Sequence, residues 1–123
     1  MIDLGTNVAG LHFKNPIWVG SSELTMDLDG ILACARAGAG AVIAKSINEN
    51  PAASKQLDIA DYVFFDGEYR VQSGPRRDSS LLNRSGLAQT PLDEWLAMLD
   101  SAREQTSDLG CTVVSTSIGT GWK

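Results

Sequence analysis

The chain has 123 residues, 43% hydrophobic and 20% charged, the balance of an ordinary globular domain, which excludes a disordered or low-complexity polymer. Its net charge of −5 and its single basic pair, Arg76-Arg77, exclude a nucleic-acid partner, because binding to a phosphate backbone draws on clustered Lys and Arg. No run approaches the roughly 18 apolar residues of a membrane span, and no basic segment leads into a long apolar one at the N-terminus, so a cytoplasmic protein with no membrane partner is expected.

Leu4 to Val8 and Leu11 to Phe13 flank Ala9-Gly10 and predict an opening β-hairpin, since Gly supplies the positive φ of a tight turn. His12, the one histidine, has no Cys, Asp or Glu at ligand spacing; it reads as structural or surface, and no metal site is expected. Ile17 to Gly20 is an apolar strand without alternation, the pattern of a strand covered on both faces in a parallel sheet. Ser21, Ser22 and Glu23 follow at once. Leu28, Ile31, Leu32 and Ala35 form the buried stripe of a helix, with Thr25 or Asp27 as N-cap and Gly38 as its left-handed stop. After Gly40, the run Ala41-Val42-Ile43-Ala44 is a second buried strand that ends in Lys45-Ser46. Strand, helix and strand within about thirty residues have the size of one βαβ unit.

Asn48 to Leu82 is polar and irregular, except for Tyr62 to Phe65 and Glu68 to Val71, which Asp66-Gly67 joins in a predicted type I′ hairpin. Thr90 is expected to cap a second helix with Pro91 at its first position and Leu92, Trp95, Leu96 and Leu99 as its buried stripe. Asp108-Leu109-Gly110 ends that helix. Cys111 to Val114 is the third core strand, and its tip turns small and polar in Ser115, Thr116, Ser117, Gly119 and Thr120. Cys34 and Cys111 read as small buried hydrophobes. With no repeat beyond the βα alternation and no linker, residues 1–123 form one architectural unit.

In parallel α/β folds the ligand lies beyond the carboxyl ends of the strands, where loops converge and helix N-termini point inward. Gly20, Ser21, Ser22, Lys45, Ser46 and Ser117 are therefore the candidate cofactor residues. Gly20 and the serines let a flat polar ring approach the backbone, and Lys45 is a fixed cation for negative charge developing on that ring; the alternative is a solvated lysine at a strand end. Asn83, Arg84, Ser85 and Gly86 precede the second helix in a loop able to return to the same face. The Asn83 amide suits an imide or amide edge, the alternative being an Asn that caps or turns. Gly38-Ala39-Gly40 follows a helix, so the dinucleotide fingerprint does not apply.

Three segments, Leu11-His12-Phe13-Lys14-Asn15-Pro16, Ala37 through Ala44 with Lys45-Ser46, and Asn83-Arg84-Ser85-Gly86-Leu87, together resemble the class 1 dihydroorotate dehydrogenases and the related flavin domain of dihydropyrimidine dehydrogenases. The resemblance implies an α/β chain that is the N-terminal part of a (β/α)8 TIM barrel with an opening hairpin. It implies FMN as cofactor and oxidation or reduction of a C–C bond in a dihydropyrimidine-like substrate. Ser21 and Ser22 would lie along the flavin, Lys45 would be the catalytic residue reaching the ring or the substrate, and Ser46 would bond nearby. Asn83, with Ser85 and Gly86, would contact the substrate. The chain departs from the family where a Met before the loop Gly and an Asn shortly after it are replaced by Ser85 and Gln89, and where Ser22 stands in place of a Gly.

A closed barrel takes about 250 residues and eight strands, against three core strands here. The family's catalytic base, a Cys or Ser on a later loop, and its phosphate-holding loops would fall beyond Lys123. This segment alone is thus expected to be inactive, and marginally stable, dependent on a homo-oligomer or aggregation-prone. Two other readings stand beside the flavoenzyme: a truncated, non-catalytic barrel fragment serving as an interaction module, and a barrel enzyme in which Lys45 forms a Schiff base.

Overall fold

Ala9 and Gly10 both take positive φ, 51° and 80°. Their turn folds β1 (Thr6–Val8) antiparallel onto β2 (Leu11–Phe13), as a short loop with left-handed residues dictates. A computed structural model describes residues 3–48, 61–84 and 86–117.

The corner after the hairpin is fixed by Asn15. Its amide donates to the Gly38 carbonyl (2.9 Å) and its side-chain oxygen accepts from the Ile17 amide (3.0 Å). The Gly40 amide in turn donates to the Ile17 carbonyl (2.8 Å). Gly40 is needed there, because any Cβ would collide with the Asn15 carbonyl oxygen. These bonds bring the start of β3 (Trp18–Val19) beside β4 (Ala41–Ile43), and the two strands pair in parallel.

Between them runs α1 (Leu28–Arg36), whose N-cap is Asp27; its carboxylate accepts from the Gly30 amide. Of the two expected caps, Thr25 is instead fully buried in a 3₁₀ turn, Glu23–Thr25. The helix ends where Gly38 adopts φ 101°, a conformation costly for any residue with a Cβ. The third strand, β8 (Thr112–Val114), pairs in parallel with β4 on its other side. The central sheet is thus β3-β4-β8, all parallel.

The second helix, α2 (Leu92–Ser107), departs from expectation at its start. Pro91 occupies the N-cap position and Thr90 does not cap. Its stripe is also rotated: Trp95, Ala102 and Thr106 are buried, with Met98 and Leu99 half-buried, whereas Leu96 is 51% exposed and Leu92 lies on the surface as well. The buried set follows i, i+3, i+4, i+7 and i+11 from Trp95, so a bulky anchor sets the phase. The two helices pack on each other, α1 against β4 and α2 against β8. Ile31, Ala35, Val42, Ala44, Trp95 and Ala102 form the core between helices and sheet. On the opposite face, Phe13 of the hairpin is buried against Trp18, ring centroids 4.6 Å apart. Burial of its thiol also pushes the Cys111 pKa up, as expected for an unreactive core cysteine.

The excursion between β4 and α2 differs more from its reading. It contains a second sheet, β5 (Asp61–Phe65), β6 (Val71–Gln72) and β7 (Ser80–Arg84), all antiparallel in the order β6-β5-β7. Asp66-Gly67 does not form a two-residue type I′ turn. The loop spans 66–70, and its positive φ (61°) falls on Tyr69. The Asp66 carboxylate organises this loop by accepting from the amides of Glu68 (2.9 Å) and Arg70 (3.0 Å), an Asx arrangement that replaces the glycine turn. Asn83, expected in a loop, lies on edge strand β7 opposite Tyr62. Among the described residues no helix is long and apolar enough to cross a membrane.

Candidate functional site

Parallel pairing places the carboxyl ends of β3, β4 and β8 on one side of the sheet, and the side chains just beyond them meet there. The Ser46 hydroxyl is 2.8 Å from that of Thr116 and 3.4 Å from that of Ser21, and the Ser46 amide donates to the Ser21 hydroxyl (3.2 Å). One hydroxyl thus links all three strand tips. A row of hydroxyls can donate or accept at each position, so it adapts to the mixed edge of a heteroaromatic ring.

Lys45 is not a solvated strand-end lysine. It is only 7% exposed, and its ammonium lies 3.2 Å from the Glu23 carboxylate. Its backbone is fixed as well, since the Lys45 amide donates to the Thr25 carbonyl (2.9 Å). The 3₁₀ turn that follows the first strand tip is therefore docked onto the second, and a charge held by both backbone and counter-ion is pre-oriented.

Gly20 lies at the first tip, where a Cβ would meet no atom within 4 Å. Among the described residues, neither packing nor a positive φ calls for a glycine there. Ser22 is half-buried and opens the 3₁₀ turn, where its amide donates to the Thr25 hydroxyl (3.1 Å), which itself donates to the Ser22 carbonyl. Ser117 is exposed and its backbone bridges Ile47 beyond the tips.

The substrate-loop candidates are less closely drawn together. The Ala88 amide donates to the Ser46 carbonyl (2.8 Å), so the segment after β7 does return to the strand tips, with Gly86 half-buried on the way. Asn83 is exposed and lies on β7, paired with Tyr62. Ser85, Gly119 and Thr120 lie outside the described residues.

The sequence reading does not single out two contributors. Glu23 is one, and its only signal is its place two residues after the tip serine. Thr116 is the other: regular extension of the strands past Ile43 and Val114 would face Ser46 with Ser117. The register changes instead: Ile43 pairs with Val114 but Ile47 bridges Ser117, so β4 spends one residue more than β8 between those points. That extra residue, the equivalent of a bulge, brings Thr116 to Ser46. Buried Asn48 lies just past the same tip.

A cleft at the other end of β8 is lined by His12, Lys14, Arg103 and Cys111 among others. Lys14 there donates to the Leu109 carbonyl (2.7 Å) and His12 bonds Asn7 (3.1 Å). The first bond ties the residue after the hairpin to the turn between α2 and β8, and the second lies within the hairpin, both at the end remote from the tips.

The described residues form a parallel α/β unit with hydroxyls and a buried ammonium at adjoining strand tips, the edge at which parallel α/β folds in general place their ligands. No family model matches the chain. It is 26% identical over 116 residues to the catalytic subunit of dihydroorotate dehydrogenase B (NAD(+)) of Methanocaldococcus jannaschii, a match covering 94% of this chain and 33% of that protein. The chain spans about a third of the length of this curated relative, and the similarity is a distant one to an oxidoreductase.

Proposed function

We propose that the chain is the N-terminal part of an FMN-dependent (β/α)8-barrel oxidoreductase of the dihydroorotate dehydrogenase type, acting on a C–C bond of a dihydropyrimidine-like ring. The observation that carries this reading is the Ser21–Ser46–Thr116 hydroxyl link with the Lys45 ammonium beside it. The similarity over nearly the whole chain supports it.

The strand-tip residues fit the ring end of a flavin. Gly20 leaves open space where a flat ring can approach the backbone, the hydroxyls of Ser21, Ser22 and Ser46 offer donors and acceptors to its polar edge, and Ser117 borders the same rim. FMN would supply hydride acceptance, which is the cofactor's own chemistry. This chain's part is to orient the ring and to hold Lys45 where negative charge develops, while the Ala88–Ser46 bond keeps the segment that follows Gly86 at the tips; Asn83, Ser85 and Gly86 are the proposed substrate contacts. A cation fixed before the reaction stabilises developing charge without reorganisation.

The test is FMN uptake by the protein expressed from its complete reading frame, followed by quenching of flavin fluorescence. Tight binding that Lys45→Met and Ser46→Ala weaken supports the proposal, and no quenching overturns it. An interaction module is the second reading, favoured by exposed Tyr62, Leu81, Leu82 and Val71 on the antiparallel sheet. A module would bind no flavin.

A further inference from the structure

We propose that Glu23 is a positioning residue for Lys45: a counter-ion that holds the ammonium at the strand tips and sets how much of its charge a bound flavin ring feels. The second half of this statement rests on the flavin reading above, and the first half does not.

Lys45 is 8% exposed at its side chain and Glu23 is 44% exposed. An ammonium that deep needs an opposite charge or hydrogen-bond acceptors around it, because desolvation penalises it otherwise. The Glu23 carboxylate supplies an opposite charge at 3.2 Å. Lys45 continues β4 and donates its amide to Thr25, and Glu23 opens the 3₁₀ turn that Thr25 closes.

The turn also couples the two. Its last residue, Thr25, is fully buried and bonds both Ser22 and the Lys45 backbone, so the turn presents Glu23 directly over the Lys45 amine. Placed beside Ser21 and Ser46, the paired charges impose opposing fields on anything seated at the tips. A reduced flavin ring carries more negative charge than an oxidised one. The ammonium charge favours the reduced ring, and the carboxylate offsets that preference by Coulomb repulsion at short range. Glu23 therefore holds the flavin potential lower than Lys45 alone would set it.

Two readouts test this on the complete protein. In the first, lysines are methylated with formaldehyde and a borane reductant, and each site is followed by mass spectrometry, with Lys14 as internal reference. Lys45 is expected to react more slowly than Lys14 in the wild type, several-fold faster in Glu23→Gln, and at an intermediate rate in Glu23→Asp, with Lys14 unchanged. Equal Lys45 rates in wild type and Glu23→Gln overturn the positioning role. Should Glu23→Gln fail to fold, Glu23→Asp decides the matter, since its shorter side chain loosens the pair while keeping the charge. In the second, the midpoint potential of bound FMN is measured. A higher potential in Glu23→Gln than in wild type supports the tuning role, and an unchanged or lower one overturns it. If no variant takes up FMN, the flavin reading and the tuning role fail together, and the labelling result alone decides whether Glu23 positions Lys45.

Discussion

The hydroxyls of Ser46 and Thr116 lie 2.8 Å apart across seventy residues of sequence, joining the tips of two parallel strands that a three-stranded antiparallel excursion and a helix separate along the chain. Because Ser46 also meets Ser21, its side chain is the node of the candidate site. Ser46→Ala is expected to cost about 1 kcal/mol in stability, the usual net worth of a hydrogen bond, as read from urea unfolding. The same change should weaken FMN binding by more than its effect on stability explains, and equal affinities would remove Ser46 from the site.

Two glycines separate structure from function. Gly40→Ala drives a Cβ into the Asn15 carbonyl oxygen and should destabilise by about 1–3 kcal/mol, as overpacking does. Gly20→Ala meets open space and should leave the unfolding midpoint unchanged within about 0.5 kcal/mol, the range of neutral surface changes. FMN affinity should nevertheless fall in Gly20→Ala, because the added methyl stands where a ring would approach. A Gly20→Ala protein that binds FMN as the wild type does argues against a ring at that tip.

The phase of α2 is open to a direct comparison of two neighbours. Trp95→Ala empties a fully buried position and should cost about 3–5 kcal/mol, enough to unfold much of a marginal domain. Leu96→Ala, at a position 51% exposed, should cost less than about 1 kcal/mol. Denaturant midpoints for the pair check the assignment, and similar losses would restore Leu96 to the core.

Asp66 sets an acid limit on the excursion. The Arg70 amide holds the Asp66 carboxyl below its ordinary value of 3.8, with help from the Arg70 side chain, the Glu68 amide and the charge of Arg76. A depressed folded-state pKa means that its contribution is fully present above the ordinary value and is lost as pH falls through the folded one. Protection of the Glu68 and Arg70 amides, measured relative to intrinsic exchange, should therefore fall as pH drops through the lowered folded value, and Asp66→Asn should show that reduced protection already at neutral pH. Identical exchange in both proteins would mean that the loop does not depend on the carboxylate.

The central βαβ pattern was legible in the sequence because each strand is a short apolar run and each helix carries a stripe. The opening hairpin was legible in Ala9-Gly10 and the helix stop in Gly38. Part of the resemblance also has a structural reason: Asn15 and Gly40 lock the first strand to the end of α1, so those residues serve the corner and not the chemistry. What local pattern could not supply was long-range. The third strand of the excursion, β7, is recognisable only through its pairing with β5, and Asn83 moved from loop to strand with it. The Ser46 to Thr116 contact depends on a one-residue register change between tips, which strand alternation cannot reveal. The burial of Lys45 depends on a turn that docks from another strand end. Strand-end position marked which side chains would lie near one another, and tertiary packing set which of the hydroxyls touch.

The most direct test titrates FMN into the isotopically labelled complete protein and follows backbone amide shifts. The account predicts that Gly20 to Ser22, Lys45, Ser46, Thr116 and Ser117 shift together along one saturating curve, with His12, Lys14 and Arg103 at the far end of the sheet unmoved. Shifts confined to the far end, or tip residues that respond independently of one another, would contradict it.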